Sequence, residues 1–459
     1  MRRVFHSLFG IALFGAGLFP AALPPGRAAA DELIVISPHW QGIKDETARA
    51  FRAWHEQKYG TPAVIRWREV GGGTSQITRF LLSEYHSNPS AGVDILYGGG
   101  DGPYRDLKAD GLLTRYDPPA DVLAQIPPDL HGMPLYDPDH AWFGAALSGF
   151  GIVINERARQ AANLPDARTW TDLDDPQLAG WISGCDPRAS GSVLAIYEII
   201  LQAYGWDKGW AVLMEMSGNT RNFLSSAAAA TVQAGLGDAA FGVSIDTYGQ
   251  AQVGFYGPEN VRFVLPESET VITPDGIAIL KNPPHPELAR HFMEFVLSRP
   301  GQLLWMLPKG APGGATQNVI NRMSVCPALY DELAGRTPIA TNPFRIPSSF
   351  AYSADLAGKR RAILSALIAA RMIDTHDVLA RAWTAFHSST AAKLSPARRD
   401  ALLAGFLAPP CTEAELLQLA ATTWKDPVKH TALVEQWQDQ ALDLYRRTAA
   451  EIREGGNGT

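Results

Sequence analysis

The stretch "ELIVISPHWQGIKDETARAFRAW" (residues 32–54) begins as a short apolar run and continues with helical periodicity. The run "ELIVIS" is rich in branched residues, which is typical of a buried parallel strand. After the loop "PHWQG", four residues recur at helical spacing between charged ones: Ile43, Thr47, Phe51 and Trp54. This order of strand, loop and helix predicts the first unit of an α/β fold.

The same alternation continues over the next sixty residues. "AVIRWREV" (63–70) predicts a second strand, and a helix opens near Ile77 after a glycine loop. "VDILYGGG" (93–100) predicts a third strand. The stretch "YRDLKADGLL" (104–113) then predicts a short helix that ends at Gly111, a usual residue at a helix C-terminus. Repeated units of this kind predict a mostly parallel sheet.

Later segments predict how the chain is divided. "WFGAALSGFGIVINE" (142–156) is expected to be extended and to cross between two lobes. "HPELARHFMEFVLSRPGQLLWM" (285–306) predicts a helix with Pro286 at its start, and Pro300 with Gly301 is expected to end it. From about residue 344 to residue 452 the pattern is mostly helical.

The first thirty residues predict a cleavable signal peptide. A basic start precedes the apolar run "SLFGIALFGAGLF" (7–19), and "AAA" (28–30) is a plausible cleavage site. Removing the three arginines of this segment would change the formal net charge from −7 to −10. An acidic chain without a basic run argues against nucleic-acid binding.

The remaining composition predicts a soluble protein with two or more domains. Hydrophobic residues make up 46% of the chain, and no later segment has eighteen uncharged apolar residues. The three cysteines, Cys185, Cys326 and Cys411, form no CxxC pair, which excludes a zinc ribbon or a thioredoxin motif. Two alternatives stay open: a Cys326–Cys411 disulfide, or three buried free thiols.

Common enzyme motifs are absent from the sequence. The glycine loop "GGGTSQ" (71–76) has no lysine, so it is not a P-loop, and Gln76 stands where a dinucleotide fingerprint needs glycine. "GVSID" (242–246) lacks the second glycine of a hydrolase elbow, and there is no HExxH.

Five polar loops are instead predicted to follow strands: "SPHWQG" (37–42), "GGGTS" (71–75), "GGGDG" (98–102), "ASGS" (189–192) and "SIDTYG" (244–249). Ligands of open α/β sheets bind beyond the carboxyl ends of strands, where helix N-termini attract anions. The candidate ligand-binding residues are His39, Trp40, Gly73, Thr74, Ser75, Asp101, Ser190, Ser192, Asp246 and Tyr248.

Each candidate also has a structural interpretation. Thr74 or Ser75 is a suitable helix N-cap, and Asp101 is suited to an Asx-turn. Ser190 and Ser192 precede a strong helix at 192–205 and could cap it, whereas His39, Trp40 and Tyr248 could serve packing alone. The sequence does not separate these interpretations from ligand contact.

Several motifs together resemble the periplasmic substrate-binding proteins of ABC importers, in the ferric-iron, phosphonate and sugar-phosphate group of family 1 solute-binding proteins. The resemblance covers roughly residues 32–345 and is carried by four motifs: "DELIVISPHW", "GGGTSQITRF", "VDILYGGGDGPYRDLKADGLL" and "TPDGIAILKNPPHPELARHFMEFVLSRPGQLLW". The last is the most specific because of its succession of strand, proline turn and helix.

The resemblance implies an α/β, two-lobed periplasmic-binding-protein fold with ligand in the cleft between the lobes, plus a helical C-terminal extension. The expected boundaries are a signal peptide (1–30), the first part of lobe 1 (31–145), lobe 2 (146–265), a return to lobe 1 (266–343) and the extension (344–459). The protein is expected to be a periplasmic monomer without a cofactor. It would close about a hinge on a small-molecule or anionic ligand and deliver it to an inner-membrane ABC permease.

The sequence departs from iron-binding members of the group at one loop. Those members present adjacent tyrosines there, whereas this chain has Tyr248 and then Tyr256 eight residues later. Iron capture therefore ranks below an organic or phosphorylated anion. With no cation in the glycine loop, Arg188 or Arg221 is the expected source of additional positive charge.

Two readings from other classes stay open. A secreted hydrolase or lyase would use His39, Asp101 and Asp246, provided that the fold brings them within hydrogen-bond reach. A sensory or scaffold protein would instead use its helical tail to engage a membrane partner.

Overall fold

The computed structural model describes residues 31–266, 268–339, 341–345 and 350–457. The signal-peptide prediction for residues 1–30 lies outside the described residues.

The described residues form a ten-stranded sheet and a separate two-stranded pair, β5 with β6. The strands are β1 (Asp31–Ile36), β2 (Ala63–Arg68), β3 (Ile95–Tyr97), β4 (Leu113–Thr114), β5 (Asp129–Leu130), β6 (Met133–Pro134), β7 (Phe143–Asn155), β8 (Ile182–Cys185), β9 (Thr220–Leu224), β10 (Phe241–Ile245), β11 (Val261–Val264) and β12 (Ile272–Leu280).

Helices cover both faces of the sheet and make up the C-terminal region. They are α1 (Gln41–Tyr59), α2 (Thr74–Ser87), α3 (Gly102–Ala109), α4 (Ala120–Leu123), α5 (Glu156–Ala161), α6 (Gly191–Tyr204), α7 (Trp206–Asn219), α8 (Ala227–Leu236), α9 (Asp246–Tyr256), α10 (Pro286–Leu297), α11 (Arg299–Met306), α12 (Ala328–Glu332), α13 (Ala354–Ile368), α14 (His376–Phe386), α15 (Pro396–Leu407), α16 (Glu413–Ala421) and α17 (Pro427–Asn457). Short 3₁₀ turns lie at Thr171–Asp174, Pro176–Leu178, Pro343–Arg345, Ala391–Lys393 and Thr423–Lys425, and a π turn at Ala369–Ile373. Within the described ranges, no helix is both long and apolar enough to cross a membrane.

The sheet is mixed, so the prediction of a mostly parallel sheet is wrong. Its strand order is β2-β1-β3-β12-β7-β10-β8-β9, with β11 on β7 and β4 on β12. The first three strands pair in parallel, as do β10, β8 and β9, but every pair made by β7 or β12 is antiparallel. Each half of the sheet thus contains a group of parallel strands. The strands that join the halves, β7 and β12, are antiparallel to their neighbours.

The long strand β7 belongs to both halves of the sheet. Its residues 143–149 pair with β12, and residues 150–155 pair with β10 and β11. All thirteen of its residues are buried, as expected for a strand covered on both faces. We call the half with β1–β4, β12 and the start of β7 lobe 1, and the half with β8–β11 and the end of β7 lobe 2.

The C-terminal extension, which begins at residue 350 among the described residues and contains α13 to α17, packs on lobe 2. One apolar cluster contains Ile199 and Trp210 of lobe 2 together with Leu367, Trp383 and Tyr445 of the extension, each at most 2% exposed. Burying one such side chain contributes roughly 1.5–3 kcal/mol. The predicted helical extension is therefore present, and its core is continuous with that of lobe 2.

A buried ion pair also fixes the extension to lobe 2. Arg360 of α13 has no exposed side-chain surface, and its Nη2 and Nε donate to the two carboxylate oxygens of Glu198 at 2.8 and 3.0 Å. The same guanidinium contacts Glu413 of α16 and lies over the ring of Trp206. Separating a buried pair of this kind would leave an unpaired charge, which is strongly destabilising.

The three cysteines are free thiols, so the disulfide alternative between Cys326 and Cys411 is wrong. Cys326 lies in the core of lobe 1, whereas Cys411 packs beside the cluster that joins lobe 2 to the extension. Burial raises the pKa of the Cys326 thiol to about 11, which keeps it protonated at neutral pH.

Two predicted element boundaries differ from the structure. The predicted helix at 285–306 is interrupted at Ser298, and Pro300 lies in the first turn of α11 instead of ending a helix. Proline is tolerated there because first-turn N–H groups have no partner within the helix. The predicted loop "SIDTYG" (244–249) is instead the end of β10 followed directly by the first turn of α9, where Asp246 is placed favourably by the helix dipole.

Candidate functional site

A cavity of about 420 Å³ lies between the lobes and is bounded by both of them and by the C-terminal extension. Six of the residues predicted from the polar loops line it: His39, Thr74, Ser75, Asp101, Ser192 and Tyr248. The other four, Trp40, Gly73, Ser190 and Asp246, do not line it. The loops converge because parallel strands in each lobe end at the edge that faces the other lobe.

The N-terminus of α2 forms the lobe 1 wall. Gly73 is the N-cap of this helix, and Thr74 and Ser75 are its first two residues, so neither hydroxyl caps the helix as the structural interpretation supposed. The Gly73 N–H donates to the side-chain oxygen of Gln76 at 3.1 Å. The N–H of Gln76 donates to the carbonyl of Gly73 at 3.1 Å. The hydroxyls and the N–H groups of Thr74 and Ser75 are therefore the donors available to a ligand.

Two further residues of α2 face the cavity and were not predicted. Thr78 and Arg79 follow Thr74 and Ser75 by one helical turn, so they share one face of the helix. Within the described part of the chain, Arg79 makes no ion pair and no hydrogen bond. Helical periodicity applied to "TSQITR" (74–79) could have identified both residues.

Asp275 of β12 forms the floor of the cavity. Its carboxylate accepts hydrogen bonds from the N–H groups of Gly99 and Gly100, from Nε2 of His39 at 2.7 Å and from Nη1 of Arg322 at 2.6 Å. Burial opposes its ionisation, but the charge of Arg322 and the contact with His39 hold the pKa of Asp275 well below its ordinary value. Sequence reasoning missed Asp275 because it lies inside a strand.

One ring nitrogen of His39 has no hydrogen-bond partner among the described residues. Burial lowers the pKa of His39, which favours the neutral imidazole. Its Nε2 lies 2.7 Å from Oδ2 of Asp275 and 3.1 Å from Nη1 of Arg322, and we assign it as the N–H that donates to the carboxylate. In that tautomer Nδ1 is an acceptor; it is buried and unpartnered among the described residues, although other atoms of His39 line the cavity.

Lobe 2 contributes the starts of α6 and α9. Ser190 caps α6 by accepting from the N–H of Val193, and its Oγ lies 3.0 Å from that of Ser192, which lines the cavity. On α9, the hydroxyl of Tyr248 donates to the carbonyl of Pro38 in lobe 1 at 3.1 Å. Tyr248 therefore connects the two lobes, and burial raises its pKa to about 12.

The remaining predicted residues support the site from outside the cavity. Asp246 is buried, accepts from the N–H of Thr247 at 2.7 Å, and has a pKa raised to about 6 by burial. The ring of Trp40 makes an edge contact with Phe255 of lobe 2. A Cβ on Gly73 would lie 3.1 Å from the Ala189 carbonyl of lobe 2, so a larger residue there would push the two lobes slightly apart.

The extension supplies the third wall of the cavity, through Tyr352 and the start of α13. Arg361 of α13 lines the cavity, and its Nη1 lies 3.2 Å from Oδ2 of Asp106 in lobe 1. The two arginines expected to add positive charge do not line the cavity. Arg188 pairs with Asp186 and Asp374, and Arg221 is exposed on β9. Sequence reasoning missed Arg361 because it treated the extension as separate from the cleft.

The side chains around the cavity do not favour a metal ion as the ligand. The described residues contain no group of three or more His, Cys, Asp and Glu side chains that could hold one. Tyr248 and Tyr352 line the cavity, but Tyr256 does not.

Within the described residues, no hydrogen bond joins His39 to Asp101 or Asp246, the residues of the enzyme alternative. That alternative needs His39 beside Asp101 or Asp246, but the carboxylate next to His39 is Asp275. Asp101 instead accepts from Arg105 at 2.6 Å.

The amino-acid sequence is similar to one protein family and to individual proteins of other bacteria. The profile of the family described as bacterial extracellular solute-binding protein matches residues 92–324. The phosphoglycerate transport regulatory protein PgtC of Salmonella typhimurium is 33% identical over 159 residues, which is 34% of this chain and 38% of that protein. An uncharacterized protein of Haemophilus influenzae is 24% identical over 212 residues, covering 44% of this chain and 54% of the relative. The chain thus matches only about a third to a half of each relative's length.

Solved structures share the fold. The periplasmic binding protein P5PA has a TM-score of 0.60 at 20% identity, covering 74% of this chain and 99% of its own. A substrate-binding protein of an ABC transporter from Agrobacterium tumefaciens has a TM-score of 0.55 at 17% identity, covering 74% and 94%. The periplasmic binding protein AfuA from Actinobacillus pleuropneumoniae, with fructose-6-phosphate bound, has a TM-score of 0.52 at 19% identity, covering 68% and 100%. These likenesses confirm the predicted fold of two lobes with a cleft between them.

Proposed function

The chain belongs to the bacterial extracellular solute-binding proteins, and we propose that it captures a small phosphorylated organic anion in the cavity between its lobes. In this proposal it delivers the anion to the permease of an ABC transporter and carries out no reaction on it. The family supports a periplasmic location, while the cleavable signal peptide stays a prediction.

The observation that carries the proposal is the face of α2 that lines the cavity. The hydroxyls of Thr74 and Ser75 and the guanidinium of Arg79, which has no partner in the described part of the chain, lie together there at the start of a fourteen-residue helix. The hydroxyl of Thr78 also lines the cavity but donates to the carbonyl of Thr74 at 2.9 Å. First-turn N–H groups and the helix dipole favour an anion at this end of a helix. An arginine adds charge-assisted hydrogen bonds, which are among the stronger ones that a phosphate can accept.

Three of the four carboxylates that line the cavity are paired with an arginine that does not line it. Asp101 is paired with Arg105, Glu198 with Arg360, and Asp275 with Arg322. Their negative charges are therefore compensated locally. The fourth, Asp106, contacts Arg361 of the cavity wall.

The size of the cavity favours an organic ligand over bare phosphate. A cavity of about 420 Å³ lies in the range of small-molecule sites and is much larger than one phosphate group. The carboxylate of Asp275 already accepts hydrogen bonds from four donors, so it has no acceptor site left for a ligand hydroxyl. The relatives support this class, because one is named for phosphoglycerate transport and another holds fructose-6-phosphate.

Isothermal titration calorimetry with matched ligand pairs tests the proposal. We expect 3-phosphoglycerate or fructose 6-phosphate to bind, and glycerate and fructose to bind far more weakly. Binding to the folded state should also raise the melting temperature, and mass spectrometry should recover the ligand unchanged. Equal binding of phosphorylated and unphosphorylated partners would refute the phosphate preference, and turnover would identify an enzyme.

The variant Arg79→Gln sharpens this test. Its affinity for the phosphorylated ligand should fall about tenfold or more, because a hydrogen bond to a charged group is lost. Arg52→Gln is the matched control, since Arg52 is an exposed arginine of lobe 1 outside the cavity.

A further inference from the structure

The C-terminal extension reaches the ligand cavity through α13. Tyr352, Ala357, Arg361 and Ala362 line the cavity opposite the lobe 1 loops. The rest of the extension packs on the outer side of lobe 2, so α13 is the part that approaches the cleft.

The position of α13 is fixed relative to lobe 2. Arg360 is buried against Glu198 of α6, and Trp383 Nε1 donates to Asn219 Oδ1 at 2.8 Å. These contacts add to the shared apolar cluster, so we expect α13 to move with lobe 2 if the cleft opens.

Arg361 is the residue of α13 that contacts lobe 1. Its Nη1 lies 3.2 Å from Asp106 Oδ2, and its guanidinium lies against Gly102, where a Cβ would be only 2.0 Å from Nη2. Glycine at the start of α3 therefore leaves the space that the guanidinium occupies. The contact spans the cleft, because Asp106 belongs to lobe 1 and α13 is attached to lobe 2.

We propose that the extension is the third wall of the binding site and that Arg361 recognises the anionic group of the ligand, exchanging Asp106 for it on binding. The inference rests on the proposed function, since it assigns a residue for that same anionic ligand. The phosphate would then meet Arg79 and the α2 donors from lobe 1, and Arg361 from the side of lobe 2. A ligand that contacts both lobes binds the closed cleft more tightly than the open one, and it therefore shifts the protein towards the closed state.

The neighbouring arginines of α13 differ in a way that supports this assignment. Arg360 is fully buried with two carboxylate partners, so it serves structure and has no freedom to bind a ligand. The side chain of Arg361 is 36% exposed and that of Asp106 is 57% exposed. Ion pairs as exposed as this one are weak, so a ligand anion can replace Asp106 at little cost.

The exchange predicts opposite effects of two substitutions. Arg361→Gln removes the cation and should weaken binding of a phosphorylated ligand about tenfold. Asp106→Asn removes the carboxylate that competes with the ligand for Arg361, so binding should tighten. The gain should be only roughly two- to fivefold, because the interaction energy of an exposed ion pair is small. A purely structural role of the contact predicts no gain in affinity from Asp106→Asn.

Calorimetric titration of the full-length protein with 3-phosphoglycerate, fructose 6-phosphate and inorganic phosphate tests the inference. Lys359→Gln is the matched control, because Lys359 lies on the same helix, pairs with Asp355 and does not line the cavity. Its affinity should equal that of the unsubstituted protein. A melting curve for each variant should show that the fold is retained.

The outcomes separate this inference from the proposed function. If the unsubstituted protein binds a phosphorylated probe and Arg361→Gln binds it equally well, the role of Arg361 is refuted and the proposed function stands. A loss of affinity in Arg361→Gln without a gain in Asp106→Asn would refute the exchange. If no probe binds either the unsubstituted protein or Asp106→Asn, both proposals are refuted.

Discussion

Asp275 Oδ2 lies 2.6 Å from Nη1 of Arg322, and the side chains of both residues are at most 4% exposed. The same guanidinium donates to Ser148 of β7 at 2.6 Å, and the same carboxylate accepts from the glycine loop after β3. One buried ion pair therefore connects the strand shared by both lobes to a loop that lines the ligand cavity.

Asp275→Asn should destabilise the protein. The substitution leaves Arg322 buried without its counter-charge, which costs about 3–5 kcal/mol of unfolding free energy. Urea denaturation at neutral pH measures the loss. Asp139→Asn is the control, because Asp139 pairs with Lys108 at the exposed surface, and it should cause no measurable loss. Equal stability of the two variants would contradict the structural role of the buried pair.

Glu215→Gln should stabilise the protein at alkaline pH. Burial, together with the nearby charge of Asp174, raises the pKa of Glu215 to about 7. The carboxyl group in the unfolded chain titrates near 4.3, so its stabilising contribution is complete below about pH 4 and is lost as pH rises through about 7.

The glutamine variant cannot ionise, so its advantage should appear above about pH 7 and vanish near pH 4. After allowance for partial solvent screening, we expect a difference of about 1 kcal/mol at about pH 8. Thermal unfolding of both proteins across this range measures it. A difference that is constant with pH would be inconsistent with titration of Glu215.

Thr74→Ala and Ser75→Ala should lower ligand affinity with little effect on stability. Neither residue caps α2, so the loss of about 1 kcal/mol expected for a removed N-cap should be absent. If either hydroxyl donates to the ligand's anionic group, affinity for a phosphorylated ligand falls about tenfold. Ser83→Ala, at an exposed position of the same helix, is the control. Unchanged affinity in both variants would show that neither hydroxyl binds the ligand.

Ferric iron should bind weakly or not at all. Burial raises the pKa of Tyr248 to about 12, which opposes formation of the phenolate that ferric iron requires. Titration with a ferric chelate should therefore give no intense tyrosinate-to-iron absorption band. An intense band that disappears in Tyr248→Phe would restore iron as the ligand.

Ligand binding should compact the protein, because the ligand contacts both lobes. Small-angle scattering with and without a phosphorylated ligand should show a smaller radius of gyration in the bound state. Gly73→Val should reduce this change, since its side chain would meet the Ala189 carbonyl of lobe 2. A radius of gyration that does not change at saturation argues against closure.

Local patterns in the sequence were sufficient for most of the strands and helices and for much of the cleft, but not for the break at Ser298 or the direction of the joining strands. The alternation that begins at residue 32 predicts strands and helices because side-chain periodicity follows directly from backbone geometry. Polar loops after parallel strands meet at one edge, so Thr74, Ser192 and Tyr248 could be placed at the cavity between the lobes without knowledge of the tertiary structure.

Other features of the site depend on contacts between residues that are far apart in the sequence. Asp275 lies within a strand and Arg322 follows it by 47 positions, so no local period relates them. Arg361 belongs to a segment without a recognisable motif, and it reaches the cavity because the extension buries an apolar face against lobe 2. Packing between distant segments decides which neighbours a side chain has, whereas sequence periodicity decides only which face of its own element it occupies.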